Sequence, residues 1–230
     1  MAAMEIINPD NYGDFHIHSS TFSDGFSSID EIVIKAGELG YEKIAFTDHS
    51  QALLDAYGIS RKTHFDIIAS GRYDNIHNNV DVQFGVEADL LNVDGDIRDD
   101  IQGITPEFIL LSAHRKVYHG ELKQIKFAYL NAIDRFGENI NILGHLCSKQ
   151  IAQYLSMEDI IEIVEAANIR EIALELNCAN LEYGKTDLDK LKIMIDNARK
   201  MYVNSDSHTM NEFINLRKNG FQFLVNNGVI

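Results

Sequence analysis

The sequence predicts an α/β fold whose parallel sheet closes into a barrel. Three observations predict it. Apolar strand-like runs alternate with amphipathic helical stretches from residue 14 almost to the C-terminus. Seven or eight such units follow one another without a repeat or a low-complexity tract, which favours a closed barrel over an open doubly wound sheet. The histidines and acidic residues with ligand chemistry fall where strands run out, and in α/β barrels the C-terminal strand ends form the face that carries the chemistry.

The elements follow in order. In "DFHIH" (14 to 18) strand alternation puts Asp14, His16 and His18 on one face and Phe15 and Ile17 on the other. Ser28 and Glu31 form a capping box, and Ile29, Ile32, Val33 and Ala36 follow a helical face that Gly40 is placed to end. "KIAFTDH" (43 to 49) is the second strand, followed by a polar region with scattered helical pattern to about residue 78. Further strands are read at "VDVQFGVE" (80 to 87), "EFILLSAH" (107 to 114), "INILGH" (140 to 145), "EIALELN" (171 to 177) and "MYVNSDSH" (201 to 208), with "FQFLV" offering a last one. Helices are predicted over roughly 120 to 136, over 156 to 167 opened by Ser156 with Asp159, and over 186 to 200 opened by Thr186 with Asp189.

With 45% hydrophobic and 24% charged residues in 230, the chain has the composition of a globular protein, and one domain over 1 to 230 is the economical expectation. No apolar run approaches the ~20 residues that cross a bilayer, and "MAAMEIINPDNYG" lacks the basic and apolar regions of a signal peptide. The two cysteines, Cys147 and Cys178, are too few for a disulfide framework and suit a reducing compartment, so a cytoplasmic location is expected. A net charge of -15 argues against broad binding to nucleic acid or anionic membranes. A phosphorylated substrate must then be held locally.

An isolated HxH pair more commonly sits half-exposed on a strand. Here its partners are what matter: His16, His18, His49, Glu87, His114, His145, Asp206 and His208 all stand at strand ends, six of the nine histidines among them. Asp24 lies on the loop after the first strand, with Gly25 letting that loop fold back. His64, His77 and His119 fall in helical or loop segments and are read as surface or locally bonded. Mixed imidazole and carboxylate ligands suit Zn, Mn or Fe rather than Mg or Ca.

In this order, "DFHIHSSTFSDG", "FTDHS", "FGVEAD", "LLSAH", "ILGH" and "NSDSH" resemble the motifs of the PHP (polymerase and histidinol phosphatase) family of metal-dependent phosphoesterases, over nearly the whole chain. The resemblance implies a distorted (β/α)7 barrel and two or three divalent metals (Zn, Mn or Fe). Their ligands would be His16, His18, Asp24, His49, Glu87, His114, His145, Asp206 and His208. Three divalent ions against three carboxylates leave a local charge of about +3, enough to draw an anion into an acidic protein.

The expected chemistry is hydrolysis of a small phosphomonoester (histidinol phosphate, a sugar phosphate or a nucleotide) by a metal-bridging hydroxide, with no nucleophilic side chain. Asp14 and Asp48 are expected to orient imidazoles from behind. Arg115, Lys149 and Asn177 are the candidate substrate contacts, each balanced by a reading as a solvated or locally bonded side chain. Two departures from the histidinol phosphatase branch stand out: Gly144 where arginine is expected near a late strand end, and a shorter chain. A nuclease acting on nucleic-acid ends is the alternative of another class, and the acidic composition argues against it. An amidohydrolase-like metal hydrolase is a further one, but no lysine ends the strands near 87, 114 or 145. A catalytically silent module has no physical need for six converging histidines.

Overall fold

The computed structural model describes residues 4–61 and 63–230. Among them are eight strands: β1 (Glu5–Ile6), β2 (Lys43–His49), β3 (Asp81–Leu90), β4 (Ile97–Arg98), β5 (Phe108–Ser112), β6 (Ile140–Leu143), β7 (Ala173–Asn177) and β8 (Lys200–Asn204). Seven of them form one curled sheet in the order β1-β8-β7-β6-β5-β3-β2, every neighbouring pair parallel, and β4 pairs antiparallel with the end of β3.

The segment predicted as the first strand is the irregular closure of this sheet. Between the ends of β8 and β2 the Ile17 peptide bridges Ser207 on one side, while Asp14 and Ile17 carbonyls accept from Ala45 and Thr47 on the other. Side chains replace the missing ladder: Asn204 Oδ1 accepts from Phe15 N at 3.2 Å, and Asp14 Oδ1 accepts from Ser205 N at 3.1 Å. The regular alternation expected here therefore fails. Phe15 packs inside the barrel with Ala45, Phe108, Leu110 and Ile142, whereas Ile17 joins the large core between sheet and helices.

Alternation holds elsewhere and divides the barrel interior into layers. Residues of the five-membered apolar cluster fill the bottom, and on the same face of the sheet stand Glu87 and Asp89 of β3 and Glu175 and Asn177 of β7, all buried. The outward faces, such as Val86, Ala88, Leu174 and Leu176, meet the helices. A polar layer is thus held on an apolar floor at the C-terminal strand ends.

The helical expectations hold in part. Helix α1 (Ile29–Glu38) opens with the Ser28–Glu31 capping box and buries Ile29, Ile32, Val33 and Ala36. After β2 come α2 (Gln51–Tyr57) and the single turn α3 (Asp66–Ala69). The 120 to 136 prediction becomes a 3-10 turn at Leu122–Gln124 running into α4 (Ile125–Phe136). A short α5 (Lys149–Ala152) precedes α6 (Met157–Ile169), which carries the Ser156–Asp159 box. A short α7 (Cys178–Glu182) follows β7.

Two predictions are corrected. Helix α8 (Leu188–Asn197) is capped by Asp187, whose side chain accepts from Lys190 N, one residue later than the Thr186–Asp189 signature. "FQFLV" is not a strand but part of α9 (Met210–Asn226), where Phe213, Leu216, Arg217, Gly220 and Leu224 recur at helical spacing and are buried. The five-residue window was too short to reveal that period. No described helix is long and apolar enough to cross a membrane.

Candidate metal centre

Strand ends and the loops that leave them bring the candidate ligands together. Three groups have ligand atoms within 4.8 Å of one another: His18, Asp24, His49 and His208; His16, His18 and Glu87; and His49, Glu87 and His114. Glu87 is the hub. Its carboxylate lies 2.7 Å from His49 Nδ1, 2.8 Å from His145 Nε2, 3.4 Å from His114 Nε2, 3.5 Å from His16 Nε2 and 3.6 Å from His18 Nε2. Asp206 Oδ1 reaches His18 Nε2 at 3.2 Å and His16 Nε2 at 3.5 Å. Asp24 Oδ1 stands 3.3 Å from both His49 Nε2 and His208 Nε2. His64, His77 and His119 belong to none of these groups.

Local backbone makes this possible at a cost. His145 and Asp206 have φ of +25° and +55°, the left-handed region that non-glycine residues avoid. Such positions persist only where the surroundings over-determine them. The His145 N–H donates to Glu175 Oε2 at 2.8 Å, and the two Asp206 oxygens meet His18 and the Asn177 amide. On the loop, Ser23 Oγ donates to Asp24 Oδ1 and accepts from His49 N, fixing the Asp24 carboxylate against β2. After Asp206, the Thr209–Glu212 capping box starts α9, and Glu212 also accepts from His208 N at 2.9 Å.

Charges in the cluster balance internally. Burial would raise Glu87, but the imidazoles of His114, His16 and His145 outweigh it and hold the carboxyl well below its ordinary range. Burial likewise opposes and the histidines prevail at Asp24, Asp206 and Glu175. His49 responds in the opposite sense: burial pushes it down, yet Asp24 and Glu87 lift it to about 10. His18, buried beside the cationic His49 and His208, falls to about 3.

Several atoms in this buried cluster still lack hydrogen-bond partners: His16 Nε2, His18 Nδ1, His49 Nδ1 and Glu87 Oε2. His49 Nδ1 and Glu87 Oε2 are close, at 2.7 Å, but too poorly angled to bond. Orphaned buried polar atoms cost roughly 1–3 kcal/mol each. Nitrogen and oxygen donors converging in this way fit divalent ions of the Zn, Mn or Fe type.

Behind the ligands the structure departs from expectation. Asp14 accepts from the backbone of His16 and Ser205, and Asp48 from Ser19 N at 2.6 Å and Ser19 Oγ at 2.7 Å; neither hydrogen-bonds an imidazole. Burial raises Asp48 to about 7. The partners of the rings are Glu175, 2.8 Å from His16 Nδ1, and Asp89, 2.8 Å from His114 Nδ1. Glu175 further accepts from Asn204 and Asn177, and Asp89 from Ser50 Oγ at 2.6 Å. Both had a signal in the sequence. Glu175 interrupts the apolar run "IALELN", and Asp89 lies two after Glu87, on its face of β3.

Of the candidate substrate contacts, Asn177 donates to Asp206 Oδ2 at 3.0 Å and so borders the cluster. Arg115 is exposed, and Lys149 Nζ is committed to the Gly184 carbonyl at 2.7 Å. A Cβ at Gly144 would lie 2.3 Å from both Leu110 Cδ2 and Ser112 Oγ, so any side chain there requires both of them to shift.

Residues 14–225 match the family model described as PHP domain. The DNA polymerase/3'-5' exonuclease PolX of Bacillus subtilis is 29% identical over 212 residues; the match covers 86% of this chain and 34% of that protein, so the chain spans about a third of its length. A protein of Citrobacter koseri named "Probable phosphatase" is 26% identical over 216 residues, covering 89% of this chain and 83% of that one. Two solved structures share the fold. The histidinol phosphate phosphatase of Lactococcus lactis, complexed with zinc, L-histidinol and phosphate, has a TM-score of 0.56 at 18% identity, covering 94% of each chain. The hisK protein of Listeria monocytogenes, described as a candidate histidinol phosphatase, has a TM-score of 0.61 at 17% identity, covering 90% of this chain and 99% of that one.

Proposed function

Because the chain belongs to the PHP domain family, we propose that it is a metal-dependent phosphoesterase that hydrolyses a small phosphomonoester (histidinol phosphate, a sugar phosphate or a nucleotide) at a site of two or three divalent ions. The observation that carries this reading is Glu87, a fully buried carboxylate with five imidazoles within 3.6 Å. An anion so placed suits a bridge between ions, with His16, His18, Asp24, His49, His114, His145, Asp206 and His208 as the remaining ligands. Divalent ions there would supply Lewis-acid polarisation of a phosphoryl oxygen and an acidified water.

The chain's own residues hold and orient. Glu175 and Asp89 fix the rings of His16 and His114 with their opposite nitrogens turned to Glu87. Asn177 steadies Asp206. Neither cysteine supplies a nucleophile, since both thiols are buried and burial pushes each of them up.

The test is phosphate release by Mn- and Zn-loaded protein across a panel of phosphomonoesters including histidinol phosphate, nucleotides and sugar phosphates. Metal-dependent turnover abolished by chelation supports the proposal, and trapping a covalent phospho-enzyme would sink it. The Bacillus subtilis relative supports a second reading, a 3'-5' exonuclease. Release of mononucleotides from a single-stranded oligonucleotide, with no turnover of phosphomonoesters, selects it.

A further inference from the structure

A phosphoesterase site needs donors for the phosphoryl oxygens beside its metals, and the described structure offers one that the sequence reading passed over. Arg61, on the polar stretch after α2, donates through both Nε and Nη2 to the Ser23 carbonyl, the peptide immediately before Asp24. Bond lengths alone keep that guanidinium within about 9 Å of the Asp24 carboxylate. Asp24 itself touches His49 and His208. Among the described residues no carboxylate pairs with Arg61, although the protein has 35 Asp and Glu residues.

Resting on the phosphoesterase reading, we infer that Arg61 is a substrate-binding residue that takes the phosphoryl group of the bound ester. A guanidinium carries five N–H donors in a plane. The Nε/Nη2 edge is occupied by one carbonyl, which leaves the Nη1/Nη2 edge for a bidentate contact with two oxygens. The Ser23 carbonyl thus aims the fork and neutralises none of its charge. Asp24 is then joined both to the histidine cluster and, through its own peptide, to the cation that meets the substrate.

The experiment compares wild type with Arg61→Gln and Arg61→Lys, all metal-loaded, reading kcat and KM for the best phosphomonoester, competitive inhibition by inorganic phosphate, and bound metal per chain. Loss of a charge-assisted bidentate contact raises KM and the phosphate inhibition constant about tenfold or more in Arg61→Gln. Arg61→Lys keeps the charge without the fork and falls between. Metal content stays at the wild-type level. Unchanged KM and inhibition in an active wild-type background overturns the assignment while leaving the phosphoesterase reading intact. Parallel loss of metal and kcat with unchanged KM also overturns it, because Arg61 then only straps the Asp24 loop. A wild-type protein that neither hydrolyses phosphomonoesters nor binds phosphate removes both.

Discussion

Glu175 holds His16 through Nδ1 at 2.8 Å, and both side chains are withdrawn from solvent. This contact fixes which imidazole nitrogen faces Glu87 and Asp206, 3.5 Å away on the other side of the ring. A carboxylate behind a ligating histidine also raises its basicity. Glu175→Gln keeps the shape but removes the anion and one of the two oxygens that accept from Asn204, Asn177 and the His145 N–H. The expected outcome is metal affinity lowered about 10- to 100-fold, measured by competition with a chelating dye, with kcat recovering as metal is raised. Unchanged affinity would show that His16 needs no anion behind it.

Glu87→Gln tests the hub itself. Five imidazoles lose their common anion, and an amide bridges ions poorly. We expect metal content and turnover to fall together, by more than the roughly 100-fold ceiling of groups that merely orient ligands. Metal analysis after dialysis, read beside activity, checks this. A variant that kept its full metal complement would remove Glu87 from the ligand set.

The metal-free protein should lose stability as pH rises above neutrality. His49 is lifted to about 10 from 6.5, and His16, His145 and His208 are also raised. A raised histidine contributes stability that is fully present below its unfolded value and lost as pH rises through its folded one. The depressed carboxyls of Asp24, Glu87, Glu175 and Asp206 contribute stability present above their unfolded values and lost as pH falls. His18, lowered to about 3, costs stability only below about 6.5. Metal binding needs neutral imidazoles and so competes with these protons. The gap in Tm between metal-loaded and metal-free protein is therefore expected to widen from pH 6 to pH 9. A gap that narrows over this range contradicts the assignment of the protonated imidazoles as ligands.

The sequence carried the longer barrel strands and the eight strand-end residues of the cluster because both obey short rules: period two along a strand, and chemistry at the strand's end. Asp24, on a loop, follows neither rule, and the two-residue strands β1 and β4 are too short to show a period. It misjudged 14 to 18, where Asp14 and Asn204 side chains take up backbone donors and break the alternation on which that reading stood. Asp14 and Asp48 were expected behind the imidazoles because they neighbour ligands in the chain. Asp48 is next to His49 on β2, where adjacent side chains point apart, and Asp14 instead takes up the backbone donors of His16 and Ser205. The residues that reach the rings, Glu175 and Asp89, sit on other strands of the barrel. Arg61 was passed over for a related reason. Its relation to Asp24 runs through a backbone carbonyl 38 residues away in sequence, and no motif spacing encodes that.

Gly25 holds the Asp24 loop against the backbone of His18. A Cβ at this position would lie 2.0 Å from the His18 carbonyl oxygen, 2.5 Å from its carbon and 2.9 Å from the Ser19 carbonyl carbon. All three are backbone atoms, so no side chain can swing away, and either the loop or the His18 peptide must move. The His18 N–H is tied to Ser207 O and the Phe26 N–H to His208 O, which carries that movement to both sides of the cluster. Gly25→Ala is expected to cost on the order of 1–3 kcal/mol, as overpacking does, and to loosen Asp24 from His49 and His208. Thermal melting with and without metal separates the two effects. The metal-induced gain in Tm should shrink along with the baseline. A variant with a lower baseline but the full metal-induced gain would mean that Asp24 keeps its place without the close approach, and the loop would then be a structural element alone.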